Sequence, residues 1–164
     1  MDERVYWIWL QNAFGAGSAK PVQLVRRAGS AASLFRGGIG LWSSFTFVSD
    51  RELAALSAYG VREAEAALDY CLRLGQQVYT PDTPGYPDLL REIYNPPAVL
   101  YVRGTLPDAS GDIAIGVVGT RKAGKAGLRA AREISYELAQ EGAAVISGGA
   151  RRIGSGAPRG ASAG

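Results

Sequence analysis

Two apolar runs, residues 113–118 and 143–146, limit what this chain can fold into more than any other feature. Continuous apolar runs of this length suit strands buried on both faces. Between them Leu128, Ala131, Ile134 and Leu138 share one helical face, while Arg129, Arg132, Glu133, Glu137 and Glu141 lie elsewhere, and Gly142 is placed to end the helix. Strand, helix and strand within about 35 residues is the pattern of a βαβ unit with parallel strands and a right-handed crossover.

A parallel pair sends both following loops to one edge. Here those loops are Gly119-Thr120-Arg121-Lys122 and Ser147-Gly148-Gly149-Ala150. The carboxyl edge of an open α/β sheet is where ligands bind, because helix N-termini and bare backbone N–H groups face the crevice there. Gly119 allows backbone to approach a phosphate, Thr120 can donate its hydroxyl, and the Arg121 fork can hold two phosphate oxygens. Glycines after strands can also simply make turns. Neither Gly-x-Gly-x-x-Gly nor the Walker pattern is present, so the dinucleotide and ATP readings lack their fingerprints. Ser147 has no Gly-x-Ser-x-Gly elbow and no histidine to activate it, so it is not expected to be a nucleophile.

Charge sharpens the picture. The net charge is only +3, but residues 112–164 carry 8 basic and 4 acidic groups, against 8 and 7 in residues 1–75 and 2 and 4 in residues 76–111. Arg121, Lys122, Lys125, Arg129 and Arg132 gather near the first loop, where they offer a field to an anionic partner or form a solvated helix face. Histidine is absent and Cys71 is the single cysteine, which argues against a zinc site, a disulfide framework and the commonest general base. No cofactor or metal is expected, and neither a membrane span nor a secretory signal is read, so a cytoplasmic setting is the default.

The first part of the chain has another texture. Helical spacing predicts short helices over 4–11, 20–28, 50–58 and 61–74, with Pro21 in a first turn and Cys71 packed in a core. Between the first two lies Phe14-Gly15-Ala16-Gly17-Ser18-Ala19-Lys20, which resembles the hairpin of a helix-hairpin-helix motif whose glycines can take positive φ. Prolines at 81, 84, 87, 96, 97 and 107 then break helical periodicity, and extended pieces are predicted at 77–80 and 98–102. A helix over 86–93 would pack Leu89, Leu90 and Ile93 on the following sheet. A domain boundary is expected near Gly75.

Taken in order, Tyr86-Pro-Asp-Leu-Leu-Arg-Glu-Ile, Asn95-Pro-Pro-Ala-Val-Leu-Tyr-Val-Arg-Gly, Val117-Val-Gly-Thr-Arg-Lys and Ala144-Val-Ile-Ser-Gly-Gly-Ala-Arg resemble the DprA/Smf family of DNA-processing proteins. The resemblance covers roughly residues 1–150. It implies an α/β protein with a small helical SAM-like domain (1–75), followed by an incomplete Rossmann-like parallel-sheet domain (76–150). It also implies a non-enzymatic protein that binds single-stranded DNA in natural transformation, loads RecA and self-associates. Arg121 would contact DNA phosphate, with Gly119, Thr120, Lys122, Ser147, Gly148 and Gly149 shaping the same pocket. The chain departs from the family after Ala150, where an expected Gly, Asp and His are missing, so residues 151–164 read as a divergent, disordered tail and the whole as a truncated copy. A sheet left with these two strands would expose apolar surface and be the less stable part. The alternatives are a phosphoribohydrolase-like Rossmann enzyme, whose Pro-Gly-Gly-x-Gly-Thr-x-x-Glu motif is absent here, and a non-functional remnant.

Overall fold

The computed structural model describes residues 1–106, 113–120 and 122–148. It is a mixed helix-and-strand protein, mostly helical, that divides into two compact units, Met1–Leu106 and Pro107–Gly164. The expected tail at 151–164 lies outside the described residues.

The first unit is organised by α1 (Glu3–Phe14), in which every residue from Val5 to Leu10 is buried. A helix that is apolar all round can only be central. Around it pack α2 (Lys20–Ala28), α3 (Ala31–Trp42), α4 (Asp50–Ala58) and α5 (Val61–Arg73). Trp9 is fully enclosed, with its indole N–H donating to the Leu56 carbonyl at 3.2 Å and its ring edge-on to Phe35 at 5.0 Å. Lys20 on α2 reaches Glu52 on α4 at 2.7 Å. The same carboxylate accepts from the Ser49 backbone, completing a capping box at the start of α4. Burial works to raise the Glu52 pKa but is outweighed by the bonds from Lys20 and Ser49, so its carboxyl sits below the usual range.

The spans predicted for α2 and α4 match the observed helices, and Cys71 is buried as expected. Helix α3 was not legible. Gly37, Gly38 and Gly40 obscure its periodicity, and the helix is interrupted at Gly38, which takes φ 58°. The indole N–H of Trp42 donates to the Leu34 carbonyl at 2.8 Å and bridges that interruption.

Packing carries this unit past Gly75. Gly75 ends α5 with φ 68°, its N–H bonded to Leu72 and that of Gln76 to Cys71, a left-handed close that only glycine takes without strain. The chain then forms β1 (Gln77–Tyr79), the short helix α6 (Asp88–Glu92) and β2 (Leu100–Val102). Strands β1 and β2 pair antiparallel, with Val78 opposite Tyr101. Val78, Ala98 and Val99 join the same apolar core as the helices. The break in compactness therefore falls at 106/107, whereas the proline-rich texture had put a boundary near Gly75. Prolines interrupt helices without preventing the extended segments between them from packing.

Helix α6 departs from its expected role. Leu89 and Ile93 are exposed rather than packed on a sheet, and no residue of α6 is buried. Arg91, half-buried, instead ties the helix to the loop. Its Nε donates to the Pro81 carbonyl at 2.9 Å and its Nη2 to the Tyr86 carbonyl at 3.3 Å, its guanidinium pairs with Asp88, and it lies 5.5 Å from the centre of the Tyr86 ring. Tyr86, itself buried, donates its hydroxyl to the Pro97 carbonyl at 2.8 Å. The two side chains satisfy carbonyls that a proline-rich loop cannot pair for itself.

The second unit contains β3 (Ala114–Gly116), α7 (Lys125–Gln140) and β4 (Ala144–Ile146), with β3 and β4 parallel. The strands are shorter than the apolar runs and are not buried on both faces: Ile113, Val118 and Ile146 are exposed. The packed stripe of α7 runs through Leu128, Ala131, Ser135 and Leu138, so Ile134, expected on that face, is exposed and Ser135 takes the buried place. That stripe keeps the 3- and 4-residue spacing of a helix face and differs from the expected one at a single position.

Burial pushes the Tyr86 phenol up to about 12 from an ordinary 10.0. A raised pKa means stability present below pH 10 and lost as pH climbs through about 12. Tyr86→Phe is therefore expected to cost about 0.5–1.5 kcal/mol at pH 7. The gap to the parent should narrow at pH 11, because the variant lacks that alkaline loss. Urea denaturation at the two pH values checks this, and an unchanged gap would contradict it.

Candidate nucleic-acid interface

The pairing of β3 with β4 sets Ala114 opposite Ala144 and Gly116 opposite Ile146. Because the strands are parallel and end in step, the loop that begins at Val117 and the loop that begins at Ser147 leave from the same edge. The Val117 N–H donates to the Ile146 carbonyl at 2.8 Å, fastening one loop's first residue to the other's last strand residue. The ladder is extended at the other end by the Ala144 N–H on the Ile113 carbonyl, also at 2.8 Å.

The return from α7 to β4 depends on one glycine. Gly142 takes φ 81°, its N–H reaching Ala139 and that of Ala143 reaching Leu138, which together close the last turn and turn the chain into the strand. The space where a Cβ would sit at Gly142 is open, so its demand is conformational.

At the other end of α7 the N-cap is Gly124, with no side-chain cap and no acidic residue in the first turn. Backbone N–H groups at such a helix start carry partial positive charge and suit an anion. Lys125 opens the helix and Lys122 precedes it, both exposed. Thr120 accepts the Lys122 N–H on its Oγ1 at 3.2 Å, which folds the loop back on itself, while Ala123 is buried and anchors it. Gly119 and Thr120 are exposed, Ser147 is half-buried, and Gly148 is exposed with open space around it. The register thus brings Gly119, Thr120, Lys122, Ser147 and Gly148 to one edge. Arg121 and Gly149 lie outside the described residues.

Not all the basic residues converge there. Arg129 and Arg132 line a surface hollow along α7 with Glu133, Tyr136 and Glu137, a face of mixed charge. In the first unit, the loop between α1 and α2 has Gly15 at φ 82° but not Gly17 at positive φ, and the Lys20 ammonium is held by Glu52. That cation is thus already neutralised. Among the described residues no cluster of His, Cys, Asp and Glu could hold a metal, and no helix is long and apolar enough to cross a membrane.

Residues 77–163, a little over half of the chain, match the family model of DNA recombination-mediator protein A. A protein named Smf from Synechocystis sp. is 45% identical over 75 residues, which are 44% of this chain and 19% of that protein. Another protein named Smf, from Borreliella burgdorferi, is 45% identical over 63 residues, 38% of this chain and 20% of the relative. The DNA processing protein DprA of Bacillus subtilis is 37% identical over 63 residues, 38% of this chain and 21% of the relative. The matched segments span about a fifth of the length of these relatives.

Gly142→Ala should cost about 1–2 kcal/mol, because alanine is strained at that φ. Hydrogen exchange at the Val117 amide, which is bonded across to β4, should then quicken by roughly five- to thirtyfold. Gly148→Ala, with open space and no positive φ, should leave it unchanged. Equal exchange in the parent and Gly142→Ala would contradict this account of how β4 is set.

Proposed function

The chain belongs to the DNA recombination-mediator protein A family, and from that premise we propose that its second unit binds single-stranded DNA by the phosphate backbone. One observation carries the reading: the parallel register delivers two glycine-bearing loops to a single edge, beside the uncapped, lysine-flanked start of α7. Backbone N–H groups, a hydroxyl and cations in one place are the parts a phosphate clamp needs. Such clamps position a strand without reading its bases. We assign Gly119, Thr120, Arg121, Lys122, Ser147, Gly148 and Gly149 to that clamp, and read the second unit as the opening of a Rossmann-like sheet.

The work proposed is binding rather than catalysis. RecA loading and self-association are further roles of the same reading, proposed for the whole proteins to which this family's description applies.

Two arginines separate the clamp from general surface charge. Arg121→Ala should weaken binding of a labelled oligothymidine by about 1.5–3 kcal/mol, the worth of a charge-assisted hydrogen bond. Arg129→Ala, which removes a charge on the mixed face of α7, should cost much less at physiological salt. Fluorescence anisotropy measures both, and equal losses would overturn the loop assignment.

A further inference from the structure

Helix α7 carries a face that the phosphate clamp leaves aside. Turned away from the packed stripe, it holds Arg129, Arg132, Glu133, Tyr136 and Glu137, all exposed, around a shallow hollow of about 530 Å³. Charge on this face is sorted along the helix, with the arginines in its first half and the glutamates in its second.

This sorting works against the helix that carries it. A helix N-terminus favours acidic side chains and a C-terminus basic ones. Helix α7 has no acidic residue in its first turn and no basic residue in its last, and Glu141 follows as its C-cap. Like charges also sit side by side, Arg129 three residues before Arg132 and Glu133 four before Glu137, spacings at which they repel. The opposite pair at four residues, Arg129 and Glu133, has the basic residue first, which is the weaker order. Among the described residues none of these four side chains makes an ion pair.

We propose that a second copy of this chain covers this face with the same face of its own, the two α7 helices lying antiparallel about a two-fold axis. Arg129 and Arg132 of each copy then meet Glu133 and Glu137 of the other, and the helix dipoles oppose. A two-fold contact has to be self-complementary, because each copy must accept what it offers. A face basic at one end and acidic at the other meets that condition, whereas a uniformly basic face does not. Tyr136, 42% exposed, lies among these charges, where its ring can stack against an arginine of the other copy. One helix face is small beside the roughly 1,000 Å² of a stable interface, so the dimer is weak and salt-sensitive. The contact uses none of the residues assigned to the clamp, so either reading can fail without the other.

Sedimentation velocity of the full chain, run from low micromolar to near-millimolar concentration at low and physiological salt, tests this. The expected result is a rise toward dimer with concentration, stronger at low salt. The double variants Arg129→Glu/Arg132→Glu and Glu133→Arg/Glu137→Arg should each associate at least about tenfold more weakly, because like charges then face each other. Mixed in equal amounts the two should associate again, since one face is then acidic and the other basic. Arg51→Glu/Arg62→Glu, the same change of charge at exposed positions of α4 and α5, should leave association unchanged. The proposal is overturned by a parent chain that stays monomeric throughout, or by either α7 variant associating as well as the parent. A mixture that stays monomeric, or equal weakening in the α4 and α5 variant, overturns it too.

Discussion

The burial of α1 is the constraint on which the first unit depends. Trp7, Ile8, Trp9 and Leu10 are each at most 2% exposed, and four helices are arranged to enclose them. Each such side chain contributes about 1.5–3 kcal/mol by leaving water. The polar edges of the aromatic residues then decide how the enclosing helices sit. Trp9 is tied to the end of α4 through Leu56, and Glu3, at the start of α1, accepts the Ala32 N–H at the start of α3 at 2.9 Å. Apolar burial supplies the energy of this unit, and a few directional bonds supply its geometry.

The second unit works on a smaller scale. Its two strands are three residues each, and its order comes from the ladder and from Gly142 rather than from a deep core. Exposed Ile113, Val118 and Ile146 leave apolar surface on the strand ends. The features that matter for the proposed clamp are local ones: the register, the turn at Gly142, the bare N-cap at Gly124 and the lysines beside it.

Much of this was legible in the sequence, and the reasons differ from element to element. Pro21 at a first turn marked α2 because it acts on the backbone next to it, and helical spacing marked α4, which the structure shows opened by a capping box of Ser49 and Glu52. The apolar runs marked β3 and β4, and Gly142 marked the end of α7. Helix α3 escaped because its glycines disguise the period, although Ser30, whose hydroxyl accepts the Ser33 N–H at 3.0 Å, was a readable cap. The role of Arg91 escaped because an arginine that donates to loop carbonyls looks, in sequence, like any other surface charge. Whether Ile134 or Ser135 of α7 turns inside was not fixed by local periodicity, since either keeps a 3- or 4-residue step from Ala131 and Leu138.

The central claim is that this chain holds a nucleic-acid strand by its phosphates. The most direct test is its affinity for single-stranded DNA measured at several salt concentrations. Two or three neutralised phosphates would give log affinity a slope of about −1.4 to −2.1 against log salt. That slope should persist across oligonucleotides of different sequence. No measurable binding at low salt, or binding indifferent to salt, would contradict the account.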